Sequence, residues 1–233
     1  MDTFFGMGVG SLIWLAFVFN LFGFLARDEL FLRLFMLVGS VLSIGYYSLI
    51  VSDQPLWDAI LTRGTLMIAN FVMIIIVITE RTTLFMSQDA LELYRSFNML
   101  TPGQFRKLMR VTQTGVAGSS EVVLEEGRVA DRLYFITKGN ARVEKAGIYA
   151  DIGERVFLGE IAYLRGGAAT ATVTLNEGTE YLSWDHASLQ KMNRRNRELS
   201  VAMVAQFNED LLNKVAGSPP ADMHLSQAAS RTV

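Results

Sequence analysis

The chain of 233 residues contains no cysteine. This removes disulfides, thiolate metal sites and a cysteine nucleophile at once, and leaves nothing that argues for an oxidising compartment. Histidine is almost as scarce: His186 and His224 are too isolated to make a metal site or a catalytic triad, and both read as surface residues. There is no basic excess either. The net charge is -2, and a phosphate-backbone partner needs a basic footprint, so nucleic acid is an improbable ligand. What the first third lacks most is charge. Residues 1–79 hold eight charged side chains (Asp2, Arg27, Asp28, Glu29, Arg33, Asp53, Asp58 and Arg63), whereas the remainder holds 36, 18 of each sign. The two parts are composed for different solvents.

From Thr3 to Ala26 no residue is charged, and about 20 apolar residues suffice for a helix to cross a hydrocarbon core of roughly 30 Å. A signal peptide would begin with basic residues and carry a shorter apolar stretch, so Asp2 and the length of the run favour a retained helix. The sequence therefore predicts a transmembrane domain over 1–80, with spans at about 4–25, 30–52 and 57–79. Tyr46 and Tyr47 fall at interfacial depth in the second span. Arg63 interrupts the third. It is expected to snorkel toward Asp53 and Asp58, a functional polar cluster being the alternative. Arg27 and Arg33 lie between the first two spans and Arg81 follows the third, while the N-terminus and the 52–56 loop carry no basic residue. Basic residues mark the cytoplasmic side. The expectation is an integral protein of the plasma (inner) membrane with its N-terminus outside and its C-terminal domain cytoplasmic.

After Arg81 the apolar residues become periodic. Leu91, Tyr94, Phe97 and Leu100 recur at helical spacing, and Thr101-Pro102 opens a second short helix whose Phe105, Leu108 and Met109 would face the following domain. Residues 81–111 are read as an amphipathic connector. Short runs rich in β-branched and aromatic residues follow (VVLEEG, RLYFITKG, ARVEKAG, ATVTL and TEYLSW), punctuated by Gly127, Gly139 and Gly153. Such a series predicts a sandwich or barrel. From Asp185 the spacing of Leu189, Met192, Leu199, Met203, Phe207 and Leu211 predicts one long final helix, stopped at Gly217-Ser-Pro-Pro. The domain is bounded at 112–216, and 217–233 reads as a flexible tail. The fold class is thus a membrane α-helical anchor plus an α+β soluble domain. The Arg-Arg-Asn-Arg run at 194–197 reads as a solvated helix face, and the Met-rich stripe of the final helix as core or a dimer seam.

Glu125–Gly139 (EEGRVADRLYFITKG) and Phe157–Leu164 (FLGEIAYL), within the order helix, β-roll, closing strands and final helix, resemble the cyclic-nucleotide-binding domain over about Leu108–Leu212. A more specific similarity joins three spans to ELYRSFNMLTPGQFRKLM, the roll and Leu-Ser-Trp-Asp at 182–185. This combination resembles the Popeye domain family over about residues 4–215, with LYRSF and GQFRKL as its sharpest marks. The resemblance implies a membrane-tethered receptor for cAMP, usually dimeric and without catalytic activity.

A cyclic nucleotide presents a phosphate, a ribose 2′-hydroxyl and a base. Gly159 permits close backbone approach. Residues 160–164, including Ile161 and Ala162, can form a helical turn whose free amides meet an anion. Glu160 would accept from the 2′-hydroxyl. The family's phosphate-pairing arginine falls on Ala169 here when Ala171-Thr172-Val173 is aligned on the strand that follows it. A charge-assisted bond contributes about 1.5–3 kcal/mol, so its loss would weaken binding roughly 10- to 100-fold. Three outcomes stay open: Arg165 swings over Gly166-Gly167 to replace it; Thr170 and Thr172 with backbone amides hold the phosphate; or the pocket is empty. No catalytic or metal residue is assigned. The leading expectation is a cAMP sensor, cGMP being the second ligand, that pairs through its final helix and membrane helices and acts on a further membrane protein. The rival is a ligand-free membrane scaffold using the roll and final helix for self-association or docking.

Overall fold

The computed structural model describes residues 2–49, 56–84 and 86–217, with side chains described from residue 10 to residue 216 of those ranges. Asp53, His224 and the tail after residue 217 lie outside them. The chain divides into two compact units, Met1–Phe85 and Met86–Val233.

The first unit consists of α1 (Asp2–Leu25), α2 (Glu29–Leu49) and α3 (Trp57–Arg81). α1 packs on α2 and α2 on α3. The seam is polar and small. Ser40 and Ser43 are buried, their hydroxyls donating back to the carbonyls of Met36 and Gly39 at 2.8 Å, and Asn70 is buried on α3. Outward, the helices present Trp14, Phe17, Phe31, Ile68 and Phe71. α2 and α3 are each long and apolar enough to cross a membrane, and only 17% and 11% of their most apolar windows are buried; residues 10–25 of α1 form a shorter apolar stretch. Arg81 reaches Asp28 in the α1–α2 turn at 2.6 Å, and that bond, followed by the Leu30 amide, holds the Asp28 carboxyl below the usual range. Arg63 lines a cavity of about 390 Å³ together with Asn20 and Ser43.

The second unit runs α4 (Gln88–Tyr94), α5 (Pro102–Met109), β1 (Gln113–Val116), β2 (Glu121–Leu124), β3 (Arg132–Lys138), β4 (Ala141–Lys145), β5 (Ile148–Ile152), β6 (Phe157–Leu158), α6 (Glu160–Arg165), β7 (Thr172–Leu175), β8 (Glu180–Asp185), α7 (His186–Arg195) and α8 (Arg197–Gly217). Two antiparallel four-stranded sheets, ordered β1-β8-β3-β6 and β2-β7-β4-β5, form the roll. The period-2 alternation of β3 divides its side chains between two cores. Leu133 and Phe135 join the helices, packing with Phe97, Phe105, Trp184, Leu199 and Phe207; Tyr134 and Ile136 face into the roll with Leu124, Val173 and Leu175.

Phe105 and Leu108, expected to face the following domain, are buried in the core of the second unit together with Phe97 and Leu100. One feature differs from the sequence-based expectation. The expected single final helix is broken at Asn196, whose backbone is extended and whose Oδ1 accepts from the Leu199 amide at 3.1 Å, capping α8. An asparagine at that position satisfies a free helix-start donor, which makes the break cheap.

Candidate ligand-binding site

β6 leads directly into α6 through Gly159, whose φ of 87° lies in the left-handed region that glycine tolerates. A Cβ there would stand 3.2 Å from the Arg132 carbonyl oxygen and from a Leu124 methyl. α6 is short, ending where Gly166 adopts φ 63°. This geometry turns Glu160 inward, leaving it only 5% exposed.

A buried carboxylate requires partners. They come from α8. Lys214 Nζ lies 2.7 Å from Glu160 Oε1 and 2.7 Å from Asp210 Oδ2. The same ammonium donates to the Phe157 carbonyl oxygen, and the Phe157 amide donates to Asp210 at 3.4 Å. Both backbone groups of Phe157, the residue two before the turn, are thus held by α8. Burial raises the Asp210 carboxyl above its usual range, with Lys214 opposing the shift.

Beside this network lies a cavity of about 170 Å³ lined by Gly159, Glu160, Ile161, Ala162, Ala169 and Thr170, all singled out from the sequence, and closed in part by Leu211 and Lys214 of α8. Two residues of that set stand elsewhere. Arg165 is exposed at the end of α6 and does not line the cavity. Thr172 Oγ1 accepts from the Glu126 amide at 3.0 Å. Ala169, at the position of the expected arginine, is buried, with its amide donating to the Arg128 carbonyl and its own carbonyl accepting from Gly127.

Sequence reasoning missed Asp210, Leu211 and Lys214. The signal existed: the buried stripe Leu199, Met203, Phe207 continues at helical spacing onto Asp210 and Lys214, so the two charges had to meet the core or a partner. Tyr163 on α6 adds a second tie to the helices, its hydroxyl accepting from Asn193 Nδ2 at 2.9 Å and its ring lying 5.9 Å from Phe207 and 5.0 Å from His186. His186, read as a surface residue, is half-buried here. Its Nε2 has no hydrogen-bond partner among the described residues, and desolvation lowers its imidazole below the usual value.

Residues 117–196 match the cyclic nucleotide-binding domain family. This stretch is a domain of that family. A solved structure of a candidate cyclic nucleotide-binding protein from Geobacter metallireducens shares the fold of the domain: TM-score 0.50 at 17% identity, over 56% of this chain and 99% of that one. A cyclic nucleotide-binding domain from Methylobacillus flagellatus aligns with a TM-score of 0.48 at 16% identity, over 55% of this chain and 80% of the other. Among curated proteins, a candidate potassium channel protein of Rhodopseudomonas palustris is 32% identical over 100 residues, which is 41% of this chain and 24% of that protein, so the likeness spans about a quarter of the relative. The family match ends at residue 196, and α8, which brings Asp210 and Lys214 to the β6–α6 turn, follows it.

Proposed function

We propose that the chain is a membrane-anchored sensor of a cyclic nucleotide, cAMP foremost and cGMP second, without catalytic activity. The observation that carries this reading is Glu160: a buried carboxylate on the wall of the cavity, set by a left-handed glycine, in a domain of the cyclic nucleotide-binding family. Its charge-assisted bond to the ligand's 2′-hydroxyl selects ribose over deoxyribose. Gly159, Ile161, Ala162, Ala169 and Thr170 surround the phosphate.

Three spans, with the N-terminus outside and the second unit cytoplasmic, form the anchor in this proposal. Its support is the outward display of large apolar side chains on all three helices, which a soluble bundle would bury. The order of apolar helices, residues 92–109 and roll supports the likeness to the Popeye family, and with it a homodimer through α8 and the membrane helices. Ligand occupancy is read out through α8. Gln206 accepts from the Met99 amide and donates to the Ser96 carbonyl, both at 3.2 Å, and Glu209 accepts from Asn98 at 2.9 Å. A shift of α8 therefore pulls on the segment that continues toward the membrane helices, provided the ligand prefers one arrangement.

A ligand-free scaffold is the second reading. The cavity's 170 Å³ is below the roughly 300 Å³ at which small-molecule sites begin, and Glu160 already has a partner. Calorimetry and thermal unfolding of the full chain in detergent, with cAMP and cGMP to millimolar concentration, separate the two. The sensor gives heat and an upward shift in Tm, and Glu160→Ala weakens binding about 10- to 100-fold. The absence of both heat and shift with either nucleotide sinks the sensor.

A further inference from the structure

We propose that Lys214, on α8, supplies the positive charge for the ligand's phosphate that the β6–α6 turn itself lacks; the inference rests on the nucleotide reading above. Lys214 is the one basic side chain among the described residues lining the cavity, whereas Arg165 lies outside it and Ala169 occupies the arginine position. An anion entering a largely apolar cavity needs a counter-charge. An ammonium offers three donors. Those of Lys214 reach Phe157, Glu160 and Asp210.

The arrangement permits an exchange of partners. The phosphate takes the donor now given to Glu160, and Glu160 turns its freed oxygen to the ribose 2′-hydroxyl. Asp210, one turn before Lys214 on α8, stays paired with it throughout, so the ammonium never loses all its partners. The exchange also meets the size constraint, because Lys214 and Leu211 form part of the wall that leaves only about 170 Å³. One movement of the last turns of α8 enlarges the cavity and redirects its cation. The phosphate is thereby recognised by a residue outside the matched family segment at 117–196.

Adenosine, which has the same base and ribose but no phosphate, is the discriminating probe. Binding of cAMP and adenosine is measured by calorimetry on the full chain in detergent for the native protein, Lys214→Gln and Lys214→Arg. The native chain is expected to prefer cAMP by about 10- to 100-fold, the range of one charge-assisted bond. Lys214→Gln brings the ratio close to one, and Lys214→Arg restores most of it. Circular dichroism melts identify a variant that fails to fold, and the arginine variant then carries the test: a ratio tenfold or more below native sinks the proposal, while a ratio near native supports it. A Lys214→Gln chain that folds and keeps the native ratio overturns the role of Lys214 while leaving the nucleotide site standing. Absence of binding by either ligand to the native chain removes the nucleotide reading, and this inference with it.

Discussion

The three tryptophans of the chain divide between two environments. Trp14 on α1 and Trp57 on α3 are 71% and 61% exposed, whereas Trp184 on β8 is wholly buried among Phe157, Leu108 and the helices. The same side chain is turned out in one unit and in by the other. In the second unit burial of apolar area drives folding, and polar groups that enter must arrive paired, as Lys214 does with two carboxylates. In the first unit the buried seam carries Ser40, Ser43 and Asn70 and the exterior is apolar, the inverse arrangement expected where lipid is the solvent.

One substitution placed in both units gives the largest contrast. Trp184→Ala leaves a cavity in the centre of the helix-facing core and is expected to destabilise the second unit by about 3–5 kcal/mol. Trp14→Ala removes a ring with little to pack against within its own unit and is expected to change stability by about 0.5 kcal/mol or less. Denaturant titration of the full chain in detergent, followed by circular dichroism, measures both. Equal losses would mean that Trp14 is covered by a partner.

A charge placed on the outer face sharpens the contrast further. Ile68 lies near the middle of α3 and is 62% exposed. In water Ile68→Lys would be nearly neutral, but at the centre of a spanning helix a lysine costs about 2.5–3.5 kcal/mol on insertion scales. The fraction of chain resisting alkaline extraction from membranes reports the difference, and an unchanged fraction removes α3 from the bilayer.

The units were also unequally legible. Strand positions in the roll could be read because alternation in segments such as Thr172–Leu175 encodes which face is buried. The Gly159–Ala162 part of the site could be read because a tight turn and an acid adjacent in sequence remain adjacent in space. Arg165 could not be placed. Its direction depends on where α6 stops, which the backbone at Gly166 decides. For Lys214 the stripe of α8 signals only that the charge meets the core or a partner; that the partner is Glu160, 54 residues away, no local pattern reports. Likewise, the stripe Leu91, Tyr94, Phe97, Leu100 shows that a face is buried without saying against which unit. Only the tertiary contacts of Phe97 with Phe105, Phe135 and Phe157 answer that.

Where the second unit meets water, backbone conformation rather than packing sets the smaller effects. The β4–β5 hairpin turns through Ala146 at φ 50° and Gly147 at φ 79°, and Ala146 is exposed. A left-handed conformation suits asparagine better than alanine. Ala146→Asn is expected to stabilise the domain by about 0.5–1 kcal/mol, measurable as a raised denaturation midpoint with unchanged slope.

The smallest effect tests how far burial in the second unit reaches toward its surface. His186 packs on Tyr163, with the carboxylates of Asp131 and Asp185 facing it, and desolvation outweighs both acids to lower its pKa from 6.5. Above that value the imidazole is neutral in the folded and unfolded chain alike. As pH falls through it, the unfolded chain takes up a proton that the folded chain refuses, so stability declines until the lower folded pKa is passed. His186→Gln removes this proton and should flatten the slope of unfolding free energy against pH just below 6.5, leaving the slope above it unchanged. Identical slopes in the two chains would show that the ring is solvated, and would return His186 to the exterior where the sequence placed it.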